Sequence, residues 1–135
     1  MIRVLRVIVS ASIGLLLTAA VSGCGSGSAP PLALTAKDSG SRQRLAVGQK
    51  LTIALDSNPT TGYRWAVDGQ VPPQLEQSGA PQYSGKANVP GAGGAEVWTF
   101  VGKSTGTSTL KLKYWRSFEP TVAPVQTFEV AVEVR

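Results

Sequence analysis

Beyond residue 50, apolar and polar residues take turns along the chain. Leu51, Ile53 and Leu55 alternate with Thr52, Ala54 and Asp56, and Tyr63, Trp65 and Val67 alternate with Arg64, Ala66 and Asp68. Trp98 and Phe100 share one face of a run whose other face carries Val97, Thr99 and Val101. Leu110, Leu112 and Tyr114 alternate with Lys111, Lys113 and Trp115. Phe128, Val130, Val132 and Val134 alternate with Thr127, Glu129, Ala131 and Glu133. A period of two places every second side chain on the same face, so these runs predict strands with one face on a core. Turn-forming residues separate them at Val47-Gly48-Gln49, Asn58-Pro59, Val71-Pro72-Pro73, Gly102 to Gly106 and Pro120 to Pro124. No segment after residue 24 carries a helical period. Short strands at this spacing predict an all-β domain, an antiparallel sandwich or barrel.

The first residues follow a different pattern. Arg3 and Arg6 precede an apolar stretch, Val7 to Val21, which is shorter than the ~20 residues of a membrane-spanning helix. A positive start, a short apolar run and small residues predict a secretory signal peptide. Its end, Val21-Ser22-Gly23-Cys24, resembles the bacterial lipobox, in which the cysteine receives a diacylglyceryl thioether. An ordinary signal peptide ending in cysteine, or an uncleaved anchor, is the alternative. The expected organisation is a lipoprotein signal peptide over residues 1–23, a lipid-anchored flexible linker over 24–31 and a folded domain over 32–135. The protein is then exported and anchored through Cys24 to the bacterial cell membrane, facing the periplasm or the outside.

Composition narrows the chemistry. The 135 residues include one Cys and no His. Histidine-dependent nucleophilic catalysis, internal disulfides and the usual zinc sites are excluded. No cofactor or metal is expected. The formal net charge of +5 shrinks on cleavage: the 13 basic residues less Arg3 and Arg6 leave 11 against 8 acidic. The remaining Lys and Arg are scattered and the aromatics follow strand alternation, so nucleic acid is not an expected partner.

Three connections stand out. In Asn58-Pro59-Thr60-Thr61-Gly62-Tyr63, Pro59 fixes its own φ and restricts Asn58. Thr60 and Thr61 are stiff at χ1, and Gly62 permits re-entry into a strand. The segment reads as a rigid, uncharged, protruding loop, or simply as a strand connector. Pro90-Gly91-Ala92-Gly93-Gly94-Ala95-Glu96 lets backbone approach another surface closely. It lacks the Gly-Lys-Ser/Thr ending and the following helix of a phosphate loop. Tyr114-Trp115-Arg116-Ser117-Phe118-Glu119-Pro120 combines aromatics with arginine, the residue types enriched at binding hot spots. Tyr114 itself is expected in the core.

Together and in this order, the loops resemble the chagasin family of papain-type cysteine protease inhibitors, over about Leu45 to Val134. The Asn-Pro-Thr-Thr-Gly-aromatic motif is complete at Asn58 to Tyr63, and the Gly-x-Gly-Gly motif at Gly91, Ala92, Gly93 and Gly94. The Arg-Pro-Trp motif is partial: Arg116 matches, while Ser117 and Phe118 replace proline and tryptophan. The resemblance implies an immunoglobulin-like β-sandwich that is not an enzyme and acts as a monomer. It implies reversible, tight inhibition, with the three loops wedged into the cleft of a papain-like cysteine protease. Thr60 and its neighbours would cover the catalytic cysteine, Gly91 to Gly94 would pair through backbone on one side, and Arg116 and Phe118 would pack on the other. The replaced proline and tryptophan imply inhibition weakened by ~1–2 kcal/mol, about 5–30-fold. The competing reading is a non-inhibitory immunoglobulin-like binding module of a cell-envelope lipoprotein.

Overall fold

The computed structural model describes residues 29–85 and 93–135. Among them, strands pair into two sheets. The first sheet holds β1 (Leu32–Thr35), β3 (Lys50–Ser57), β5 (Leu75–Gln77), β6 (Gln82–Gly85) and β7 (Gly94–Gly102). The second holds β2 (Arg42–Leu45), β4 (Arg64–Val67), β8 (Gly106–Trp115) and β9 (Gln126–Val134). All five alternating runs become strands, β3, β4, β7, β8 and β9. Tyr63 and Asp68, the two ends of one run, fall outside β4; Tyr63 precedes it and packs against the core.

The alternation dictates the packing. Leu51, Ile53, Leu55, Trp98 and Phe100 point inward from the first sheet. Trp65, Leu110, Leu112, Tyr114, Phe128, Val130, Val132 and Val134 meet them from the second. Each buried leucine, valine or phenylalanine contributes roughly 1.5–3 kcal/mol through removal of apolar surface from water.

The sandwich is mostly antiparallel, as expected, but two pairs are parallel. β1 runs parallel to β3, and β2 runs parallel to β9. Both follow from one device: residues 36–41 carry the chain from an edge of the first sheet to an edge of the second. β5 and β6 share the remaining edge of β7, with Leu75 opposite Gly102 and Gly85 opposite Gly94.

Register fixes what lies at each end. Ser57 pairs with Gly94, Arg64 with Trp115, and Tyr114 with Gln126. The end of β3 and the start of β4, the end of β6 and the start of β7, and the end of β8 and the start of β9 therefore all lie at the same end of the sandwich. Leu32 pairs with Leu51, so the chain enters β1 at the other end.

Candidate functional site

The loop after β3 is stiffened from within. Pro59–Thr61 forms one turn of 3-10 helix, entered through an extended Asn58 and left through Gly62 at φ 81°. That left-handed φ strains any residue with a Cβ, so the position needs glycine. The Thr61 amide donates to the Asn58 carbonyl at 3.1 Å and the Gly62 amide to that of Pro59 at 3.0 Å. The Thr61 hydroxyl also donates to the Asn58 carbonyl at 2.7 Å, and the Thr60 hydroxyl bonds the Asn58 side-chain oxygen. With its local polar groups satisfied this way, the loop stands out from the sandwich with Thr60 and Thr61 exposed.

Each sheet anchors this loop. From the second, the Tyr114 hydroxyl accepts a hydrogen bond from the Asn58 amide at 2.9 Å. The Tyr114 ring lies 5.4 Å from Tyr63 and 5.1 Å from Trp65, centroid to centroid. From the first, buried Glu96 accepts from the Ser57 hydroxyl at 3.2 Å and from the Trp65 amide at 3.5 Å. One carboxylate therefore ties the residues on either side of the loop. The Trp65 indole adds a bond to the Asp56 carbonyl at 3.0 Å.

The loop after β8 leans on the first loop. The Arg116 guanidinium sits 4.3 Å above the Tyr63 ring and 5.8 Å from that of Phe118. A salt bridge to Glu119 at 3.4 Å holds it there. The Glu119 amide donates to the Arg116 carbonyl at 3.1 Å, which closes a turn with Ser117 and Phe118 at its centre. A Cβ placed on Gly62 would lie 3.0 Å from the Phe118 ring. Phe118 therefore rests on that glycine, yet keeps 68% of its surface exposed.

The Gly-rich segment lies in the connection between β6 and β7. Gly91 and Ala92 lie outside the described residues, as does Cys24. Gly93 has φ 67° and sits beside the first loop, where a Cβ would meet the Ser57 carbonyl at 3.6 Å. Gly94 needs its missing Cβ because β6 crosses close by: an added one would lie 2.6 Å from the Gly85 Cα and run into the Ser84 carbonyl. The structure thus gathers Asn58 to Tyr63, Gly93, Gly94, Arg116, Ser117 and Phe118 at one end.

A family profile described as Chagasin family peptidase inhibitor I42 matches residues 44–132. The chain belongs to the chagasin family. Chagasin of Trypanosoma cruzi is 31% identical over 87 residues, 62% of this chain and 79% of chagasin. Amoebiasin-1 of Entamoeba histolytica is 31% identical over 107 residues, 77% of this chain and all of that protein. Among solved structures, a cysteine protease inhibitor from Entamoeba histolytica superposes with a TM-score of 0.68 at 22% identity, covering 78% of this chain and 96% of its own. That last likeness shows the immunoglobulin-like fold of the chagasin family. As members of a peptidase inhibitor family, these relatives are not enzymes, and neither is this chain.

The chagasin motifs named the exposed residues of the site and passed over its supports. Ser57 and Glu96 flank the motifs without belonging to them in the reading of the sequence. Glu96 carried one signal: an acidic residue at an inward position of the run Glu96, Trp98, Phe100, where a charge calls for a partner.

Proposed function

We propose that this chain inhibits papain-type cysteine proteases by lodging the three loops in the active-site cleft. The carrying observation is the Asn58–Tyr63 loop, rigid, uncharged and exposed at Thr60, with Arg116 stacked on its Tyr63. A loop ordered before contact loses little conformational entropy on docking, so more contact energy appears as affinity. Lying across the cysteine without offering a scissile bond, it occupies the site and is not cut. Gly91 to Gly94 supply backbone amides and carbonyls for pairing along one wall of the cleft. Arg116, Ser117 and Phe118 face the other wall. Membership in the chagasin family favours this reading over a non-inhibitory binding module.

The inhibitor works as a monomer without a cofactor. Residues 32–135 form the inhibitory domain, and residues 24–31 tether it to a lipid on Cys24 once residues 1–23 are removed. That arrangement holds the inhibitor on the outer side of the bacterial cell membrane, facing periplasm or exterior. The lipobox-like Val21-Ser22-Gly23-Cys24 supports it.

Inhibition constants of Thr60→Arg and Arg116→Ala variants against papain test the proposal. Each substitution should weaken inhibition on the order of tenfold, about 1.4 kcal/mol, with the unfolding midpoint of Thr60→Arg unchanged. Constants equal to the parent's for both variants contradict it.

A further inference from the structure

We infer that the end of the sandwich opposite the loops is the face this protein lays against an anionic lipid surface, so that the inhibitory loops point away from the membrane. The inference rests on lipid attachment at Cys24, proposed above, and adds an orientation to it.

Three observations converge. The first is where the chain enters. Residues 29–31 lead into β1 at its Leu32–Leu51 end, and the Gln49 side-chain amide donates to the Pro30 carbonyl at 2.8 Å. The entering chain is therefore pinned to the 46–49 turn. Cys24 precedes Ala29 by five residues, a reach of at most about 18 Å. A lipid on Cys24 keeps this end close to the bilayer.

The second is what that end displays. Val47, at the tip of the turn, is 52% exposed. Around it stand the exposed cations Lys50, Lys103, Arg44 and Arg135, four against the two acids of this end, Glu133 and Glu76, the latter one strand beyond Val101 from Lys50. Contacts show that these share one end: the Gly48 amide donates to the Gly102 carbonyl at 2.7 Å and the Val47 amide to that of Arg135 at 3.1 Å. Glu133 is engaged by Arg44 at 3.6 Å and by Arg135 at 2.8 Å, which leaves Lys50 and Lys103 without an acidic ion-pair partner among the described residues. Cations around an exposed valine suit a layer of anionic headgroups over acyl chains, and the attraction decays within about one Debye length, roughly 8–10 Å. The tether is short enough to bring the cations into that range.

The third is distance. The eight residues of β3 run from Lys50 to Ser57 and span about 23 Å. The Asn58–Tyr63 loop is thus held about that far beyond the membrane-facing end, where a soluble protease reaches it from above.

The lone cysteine makes a direct test possible, because an acylated Cys24 leaves an introduced thiol as the single labelling site. The full chain, expressed in a bacterium and purified with its lipid, is labelled with a fluorophore at Val47→Cys or at Thr121→Cys beside the loops. It is then reconstituted in phosphatidylcholine vesicles with or without 30% phosphatidylglycerol, carrying a nitroxide-headgroup quencher. Mass spectrometry of the N-terminal peptide first reports whether Cys24 bears the diacylglyceryl group. An unmodified Cys24 overturns the anchor and this orientation with it. With Cys24 modified, quenching at Val47→Cys should exceed that at Thr121→Cys at least threefold. Equal or reversed quenching overturns the orientation and leaves the anchor standing. Adding Lys50→Glu and Lys103→Glu should lower quenching at Val47→Cys about twofold on the anionic vesicles and leave it unchanged on the neutral ones. An equal effect, or none, on both vesicle types overturns the role given to charge.

Discussion

At the scale of single residues, the site depends on groups that never need to touch a protease. Gly62 serves twice, by accepting φ 81° and by leaving room for Phe118. Gly62→Ala should cost about 1–2 kcal/mol from the backbone conformation, read as a lower urea midpoint. It should also weaken inhibition, because the new methyl displaces the Phe118 ring. Glu96 is a positioning residue of the same kind. Glu96→Ala leaves the Ser57 hydroxyl and the Trp65 amide without their acceptor, a loss of about 1–3 kcal/mol for buried donors. Glu96→Gln keeps an accepting oxygen, so it should recover much of the inhibition lost in Glu96→Ala. Inhibition by the two variants at matched folded fractions checks this. If both inhibit as the parent does, Glu96 supports the fold and not the loop.

At the scale of elements, the strands that were legible in the sequence are the four long ones and β4, a four-residue edge strand betrayed by the alternation of Tyr63, Trp65 and Val67. β3, β7, β8 and β9 run for eight to ten residues, enough for a period of two to declare itself, and their buried faces match the alternation. β1, β2, β5 and β6 have three or four residues each and sit on sheet edges. β6 is exposed at every position, so no apolar pattern marks it. The parallel pairings were illegible for the same reason, since they involve β1 and β2, whose partners are chosen by the path of residues 36–41. The loops were legible through turn chemistry and family resemblance; Glu96, working through long-range contacts, was not. Ser117 follows Arg116 at the first central position of a turn, where proline's fixed φ is suited. Ser117→Pro with Phe118→Trp should therefore order the connection after β8, enlarge its contact and tighten inhibition about 5–30-fold. No gain against any papain-type enzyme would remove the role assigned to this loop.

At the scale of the whole molecule, the two ends of the sandwich differ in kind. One gathers the uncharged Asn58–Tyr63 loop, Gly93, Gly94 and the Arg116–Glu119 pair with Phe118 into an edge supported by Glu96 and Tyr114. The other receives the chain and carries exposed lysines. With no histidine in the chain, the hydroxyls of Thr60, Thr61 and Ser117 at that edge have no imidazole base to activate them. What the protein brings is a shape held in place beforehand. That shape should fill a cysteine protease cleft and survive there. This is tested most directly by titrating papain with the purified chain and following both residual activity and the integrity of the inhibitor. Inhibition should be competitive and saturate at one chain per enzyme, well below ~10 μM, with the Asn58–Tyr63 loop uncut after prolonged incubation. Full activity at ~10 μM chain, or cleavage within that loop, would contradict it.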